Sequence, residues 1–88
     1  MVERKRILIV DDDDHLLVIL KDYLVFEGFN VQTAGSAEKA LEKLDRFQPN
    51  LVVLDIGMPG MGGLGFLRRI VDARGKPRYP VLVFSARS

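Results

Sequence analysis

Three apolar runs of the chain each end at a residue that can do chemistry. The runs and the residues that follow them are 7–10 with Asp11 to Asp14, 51–54 with Asp55, and 81–84 with Ser85. Carboxylates held close together raise one another's pKa or recruit a cation. Hard oxygen ligands that leave room for water suit magnesium. On these grounds Asp12 and Asp55, helped by Asp11, are candidate ligands of Mg²⁺.

These end residues meet only if the strands that carry them run parallel. The runs at 7–10, 51–54 and 81–84 are short, continuous and rich in β-branched residues, which is typical of strands buried on both faces. A weaker strand is predicted at 31–34. Amphipathic helices separate the strands, a pattern that predicts βαβ units in an α/β fold with helices on both faces of a parallel sheet. Ligands of such sheets bind beyond the carboxyl ends of the strands.

Helix boundaries follow from capping residues. Asp13 or Asp14 can cap a first helix that runs to about Glu27, where Gly28 permits a left-handed stop. Ser36 is the predicted N-cap of a second helix, whose apolar face is Ala37, Ala40, Leu41, Leu44 and Phe47. A third helix is predicted from about Leu64 to Ala73, followed by a basic loop over 75–80.

Length and composition narrow the class of protein. The 88 residues suffice for one domain, and the absence of cysteine excludes a disulfide or zinc-thiolate framework. No apolar run approaches the roughly 20 residues that span a bilayer, and the short run after the basic N-terminus is no signal peptide, so we expect a cytoplasmic protein without a membrane partner. Residues 62–88 hold 6 basic and 1 acidic side chains. Aromatic residues do not interleave with them, so we expect no direct nucleic-acid binding.

Some polar residues near the acidic run have simpler roles. Asp13 and Asp14 are interpreted as capping and solubilising charges. The negative charge of Asp14 also stabilises the helix, because it lies near the positive end of the helix dipole. His15 is interpreted as an exposed helix histidine rather than a phosphorelay donor or a metal ligand.

The sequence resembles the receiver domains of two-component response regulators. The resemblance lies in Ile-Leu-Ile-Val-Asp-Asp-Asp at 7–13, Leu-Asp-Ile-Gly-Met-Pro-Gly-Met-Gly-Gly at 54–63 and Val-Leu-Val-Phe-Ser-Ala at 81–86. It covers essentially all of residues 1–88, as a single receiver domain. It implies a flavodoxin-like three-layer sandwich with strand order 2-1-3-4, lacking the family's last helix, strand and helix.

The resemblance also implies roles for individual residues. Asp55 would accept a phosphoryl group from a histidine kinase or a phosphotransfer protein. Asp12 would bind Mg²⁺ directly, Asp11 would assist through water or hydrogen bonds, and the carbonyl of Gly57 would be the main-chain ligand. The Ser85 hydroxyl and the Ala86 amide would donate to the bound phosphate. This is a signalling role rather than that of an enzyme.

The sequence departs from the family pattern in three places. The chain stops at Ser88, before the strand whose lysine contacts the acid cluster in the family, and no other lysine stands at the carboxyl end of a strand. Gly62 stands where the family usually has aspartate, which removes a cap of the third helix. Gly65, inside that helix, costs about 1 kcal/mol relative to alanine. We therefore expect the loop after Asp55 to be looser than usual.

An exposed fourth strand predicts a protein partner. Without a neighbour, the strand at 81–84 is an apolar edge that invites pairing with another chain. Val18 and Val25, seven residues apart, extend the apolar face of the first helix onto its outer side. We expect a homodimer, or another partner chain, through strand four (Val81, Phe84) and helix one (Val18, Val25).

Two other functions remain open from the sequence. The chain could be a degenerate receiver that dimerises as an interaction module without phosphotransfer. A magnesium-dependent phosphohydrolase with an aspartate nucleophile is less favoured, because the second acid of such enzymes, two residues after the nucleophile, is here Gly57.

Overall fold

A computed structural model describes residues 3–85. Ala86, the expected amide donor to a phosphate, lies outside the described residues. The elements along the chain are β1 (Arg6–Val10), α1 (Asp14–Phe26), β2 (Asn30–Ala34), α2 (Ala37–Phe47), β3 (Leu51–Asp55), α3 (Gly62–Arg69) and β4 (Val81–Phe84).

The four strands form one parallel sheet in the order β2-β1-β3-β4, as predicted. β1 lies inside the sheet, and its residues 7–10 are all buried. This arrangement is the flavodoxin-like sandwich expected from the sequence. It brings the carboxyl ends of β1, β3 and β4 to one edge of the sheet.

Local capping sets the limits of the first two helices. The Asp13 carboxylate accepts hydrogen bonds from the backbone N–H groups of His15 and Leu16, so Asp13 is the N-cap of α1. The chain leaves α1 through Gly28, whose φ of 101° lies in the left-handed region. Ser36 caps α2 by accepting a hydrogen bond from the amide of Lys39.

The sheet separates two hydrophobic cores. α1 packs on one face, where Ile7, Ile9, Leu17 and Val31 are buried together. α2 and α3 cover the other face, and the core there contains Leu8, Val10, Ala34, Ala37, Ala40, Leu44, Phe47, Val52, Leu54, Met58, Phe66 and Ile70. Alternate residues of β1 thus serve opposite faces, as the two-residue period of a strand requires.

The predicted bounds of the third helix were wrong at both ends. It begins at Gly62 rather than Leu64 and ends at Arg69 rather than Ala73. The chain turns away after Ile70, whose carbonyl oxygen accepts a hydrogen bond from the amide of Arg78. An isolated bridge between Val71 and Pro77 closes the turn. These contacts between distant residues replace the last helical turn.

β4 is the most exposed strand. Leu82 is 57% exposed and Val83 is 42% exposed, although both are large apolar residues. Among residues 3–85, no helix has the length and apolar composition that crossing a bilayer requires.

Candidate metal centre at the carboxyl ends of the strands

Three carboxylates meet where β1 and β3 end. β1 pairs with β3 in parallel up to Val10 and Leu54, so the next residues of the two strands, Asp11 and Asp55, lie side by side. Asp12 follows Asp11 and joins them. One carboxylate oxygen of each aspartate lies within 4.8 Å of the others, a grouping that could hold a metal ion. The convergence expected from the sequence is therefore present.

Two of these carboxylates are fully inside the protein. Asp11 is 1% and Asp55 0% exposed, whereas Asp12 is half-buried. Oδ1 of Asp11 accepts a hydrogen bond from the amide of Asp13 at 3.0 Å, and Oδ1 of Asp55 accepts one from the amide of Gly57 at 2.8 Å. Within residues 3–85, no hydrogen-bond donor reaches Oδ2 of either buried aspartate. Two buried acceptor atoms thus have no hydrogen-bond donor among the described residues.

The electrostatics of this cluster are unfavourable without a cation. Burial raises the pKa of Asp11 and is the largest influence; the amide of Asp13 lowers that pKa, and the nearby charge of Asp55 raises it further. A buried polar group without a partner also costs free energy. A divalent cation would remove both penalties, because it supplies positive charge and accepts the lone pairs of the orphaned oxygens.

The start of α3 is pressed against the end of β3. A Cβ added at Gly63 would lie 2.4 Å from both the Asp55 carbonyl oxygen and the Ile56 Cα, so only glycine fits there. Sequence reasoning missed this residue. The sequence signal that could have revealed it is its position: Gly63 lies in the first turn of the helix that follows a strand ending in an acid. The close approach fixes the backbone of Asp55 from one side.

Gly57 follows Asp55 by two residues, and Ser85 follows β4, the strand that pairs with β3. The amide of Gly57 holds Asp55, while the role of its carbonyl as a metal ligand stays a prediction. β4 pairs with β3 so that Phe84 lies next to Asp55, and the amide of Ile56 donates to the Phe84 carbonyl oxygen at 3.0 Å. Ser85 follows directly and is exposed at the same edge of the sheet.

Comparison with known proteins agrees with this geometry. The family model "Response regulator receiver domain" matches residues 7–88. Among curated proteins, the chain is 32% identical over 83 residues to the alkaline phosphatase synthesis transcriptional regulatory protein PhoP of Bacillus subtilis, covering 94% of this chain and 34% of that protein. The chain thus spans about a third of that relative.

Two solved structures are also similar. The N-terminal domain of a response regulator receiver protein from Methanoculleus marisnigri has a TM-score of 0.84 and 36% identity over 93% of this chain and 67% of that one. Response regulator protein TrrA from Thermotoga maritima, solved in complex with Mg²⁺-BeF, has a TM-score of 0.81 and 38% identity over 96% of this chain and 71% of that one. By its motifs, strand order, acid cluster and family match, the chain belongs to the receiver-domain family of two-component response regulators.

Proposed function

We propose that residues 1–88 act as one receiver domain in phosphorelay signalling, with Asp55 as the phosphoryl acceptor and a histidine kinase or a phosphotransfer protein as the donor. The observation that carries this proposal is the buried Oδ2 of Asp55, which has no donor within residues 3–85 and lies in a cluster with Asp11 and Asp12. An orphaned carboxylate oxygen beside two further acids is suited to a metal-assisted nucleophile. A cytoplasmic location goes with this role.

The residues present fit Mg²⁺. Asp12, half-buried and so open to water, would bind it directly, with Asp55 and the Gly57 carbonyl as further ligands and Asp11 assisting. Magnesium keeps several waters and few carboxylates, which matches a cluster that is partly open. When bound, the ion supplies positive charge that neutralises the phosphoryl oxygens.

In the proposed transfer, an Asp55 carboxylate oxygen forms a bond to phosphorus. The phosphorus–nitrogen bond of the donor phosphohistidine breaks, and its electron pair leaves on the imidazole nitrogen. The hydroxyl of Ser85, which follows the strand beside Asp55, would donate a hydrogen bond to the transferred group, and the Ala86 amide a second. Since Asp55 is fully buried, the donor reaches its carboxylate only if residues that cover it move.

Incubation with Mg²⁺ and acetyl phosphate, followed by intact mass measurement, tests the proposal. We expect a mass gain of one phosphoryl group in the native chain and in Asp45→Asn, which removes an exposed aspartate of α2. We expect none in Asp55→Asn. A gain that persists in Asp55→Asn, or no gain in a native chain shown by circular dichroism to be folded, would contradict the proposal.

A second role, as a dimerising interaction module, is favoured by the exposed apolar residues of α1 and β4. We expected Val81, Phe84, Val18 and Val25 to form this surface. Val18 and Val25 are 59% and 43% exposed. Val81 packs against the core under α2 and α3, on the face opposite to Phe84. The proposed surface therefore uses Phe84 from β4 rather than Val81.

A further inference from the structure

Positive charge is concentrated in the segment that joins α3 to β4. Arg74, Lys76 and Arg78 are all exposed there, and we call these three residues the basic turn. Among residues 3–85, no carboxylate forms an ion pair with any of them. Like charges held this close repel one another, so their proximity costs stability rather than supplying it.

Folding accounts for the other basic residues of this region. Arg68 and Arg69 occupy the last turn of α3, where positive charge stabilises the negative end of the helix dipole. Within the basic turn, Arg78 alone has a recorded side-chain contact with the rest of the described chain. Its Nε donates to the Ile70 carbonyl oxygen across 3.4 Å. Stability therefore does not explain the other two cations of the basic turn.

Hydrogen bonds hold the backbone of the basic turn. Oδ1 of Asp72 accepts from the amides of Arg74 at 2.8 Å and of Lys76 at 3.0 Å. The amide of Asp72 donates to the Lys76 carbonyl oxygen, and the amide of Gly75 donates to the Asp72 carbonyl oxygen. Asp72 is the one acid among residues 62–88, and its carboxylate is engaged with backbone amides rather than with the cations. A loop ordered in this way loses little conformational entropy when it binds a partner.

The basic turn stands at the edge of the sheet opposite to the carboxylate cluster. It precedes β4, whose first residue, Val81, pairs with Val52 near the amino end of β3. Asp55 lies at the carboxyl end of β3. A partner bound at the basic turn would therefore leave the proposed site of phosphoryl transfer uncovered.

The chemistry of this surface favours carboxylates. Two of its three cations are arginines, whose planar guanidinium groups bind a carboxylate through two parallel hydrogen bonds. Duplex DNA is held through contacts to many phosphates, of which three cations supply few. Single-stranded nucleic acid needs aromatic side chains for stacking, and the neighbouring Tyr79 is half-buried against the hydrophobic core. A membrane surface takes up exposed apolar side chains, and none of the large apolar residues between positions 68 and 80 is exposed.

We propose that the basic turn is a docking site for a protein segment rich in aspartate and glutamate. The rigid backbone presents the cations, and the partner supplies the carboxylates that the turn lacks. Such charge complementarity mainly accelerates association and selects the partner, so the complex weakens as salt is added. This inference goes beyond the proposed receiver function and does not depend on phosphoryl transfer.

Fluorescence anisotropy of a fluorescein-labelled peptide of alternating glutamate and serine tests the site on the 88-residue chain. We expect binding at about 20 mM NaCl that is at least about tenfold weaker at about 200 mM. The double variant Arg74→Gln with Lys76→Gln should bind at least about fivefold more weakly than the native chain. The control is Lys21→Gln with Lys39→Gln, which removes the same charge from exposed positions of α1 and of the start of α2. It should stay within about twofold of the native chain.

A pair of variants at Asp72 separates the shape of the turn from its charge. Asp72→Asn keeps an oxygen that accepts from the two amides, whereas Asp72→Ala does not. Both variants remove the same negative charge. Asp72→Ala should therefore bind the peptide at least about threefold more weakly than Asp72→Asn, because its turn is less ordered before binding. Circular dichroism checks that each variant is folded, and Asp55→Asn should bind like the native chain, which separates this test from that of phosphoryl transfer.

Four results would overturn the proposed docking site. The first is no binding of the glutamate peptide at low salt, or equal binding of a peptide with glutamine in its place. Equal weakening by the two double variants would mean that net charge, and not the basic turn, attracts the peptide. Tighter binding of a labelled DNA duplex of equal charge would make nucleic acid the occupant. Equal binding by Asp72→Ala and Asp72→Asn would contradict the role of the ordered backbone.

Discussion

Replacement of Asp11 by asparagine should stabilise the metal-free protein. Asp11 and Asp55 are both buried, and their carboxylate oxygens lie within 4.8 Å. Two unit charges at this separation repel by about 3 kcal/mol at an effective dielectric constant of about 20. The substitution also weakens the hydrogen bond from the Asp13 amide, because a charged acceptor becomes neutral, at a cost of about 1 kcal/mol. We therefore expect a net gain of about 2 kcal/mol in the free energy of unfolding.

Thermal unfolding followed by circular dichroism, at pH 8 in EDTA, measures this gain. For a domain of this size, about 2 kcal/mol corresponds to a rise in Tm of roughly 8–16 °C. Asp13→Asn is the matched control, since Asp13 is exposed and asparagine caps a helix as well as aspartate does. We expect Asp13→Asn to change the free energy by less than about 0.5 kcal/mol.

Magnesium should reduce the stability advantage of Asp11→Asn. A ligand that binds only the folded state stabilises it in proportion to the logarithm of its concentration over Kd. The native chain should gain more from millimolar Mg²⁺ than Asp11→Asn does. If the Tm of Asp11→Asn in EDTA were equal to or lower than that of the native chain, the idea that the carboxylates repel one another would be refuted.

Three further predictions concern pH, packing and capping. The pKa of Asp11 is raised above its ordinary 3.8. The stability that protonation of Asp11 contributes is therefore fully present below pH 3.8 and is lost as the pH rises through the raised pKa. The stability advantage of Asp11→Asn over the native chain, measured by unfolding without metal, should accordingly shrink as the pH is lowered. Gly63→Ala should lower the free energy of unfolding in urea by about 1–3 kcal/mol, because the added Cβ meets the Asp55 carbonyl. Gly35→Ala is the control: its Cβ meets nothing closer than 4.0 Å, so the free energy should change by less than about 1 kcal/mol. Ser36→Ala should cost about 1 kcal/mol by the same measurement, and an unchanged midpoint would mean that its hydrogen bond to the Lys39 amide does not support α2.

Much of the fold could be predicted because its signals are local. The caps Asp13 and Ser36 act within three residues along the chain, and buried parallel strands show themselves as short apolar runs. The acid cluster was predictable too, since parallel strands bring their carboxyl ends together. The positions of the strands were enough to predict that Asp11, Asp12 and Asp55 converge.

Other features depend on contacts between distant residues. The early end of α3 follows from the bond between the Arg78 amide and the Ile70 carbonyl, while the sequence after Arg69 continues without a helix-breaking residue until Gly75. The need for glycine at position 63 depends on how closely α3 approaches the end of β3. Likewise, Val81 and Phe84 could be told apart only once the faces of β4 were known.

The most direct test of the proposed function is to locate the phosphoryl group. Borohydride reduces an aspartyl phosphate to homoserine, so the chain would be treated with Mg²⁺ and acetyl phosphate, reduced, digested and sequenced by mass spectrometry. The predicted result is homoserine at position 55 and intact aspartate at positions 11 and 12. Homoserine at position 11 or 12, or an unmodified Asp55 in a chain that has gained a phosphoryl group, would contradict the assignment of Asp55 as the acceptor.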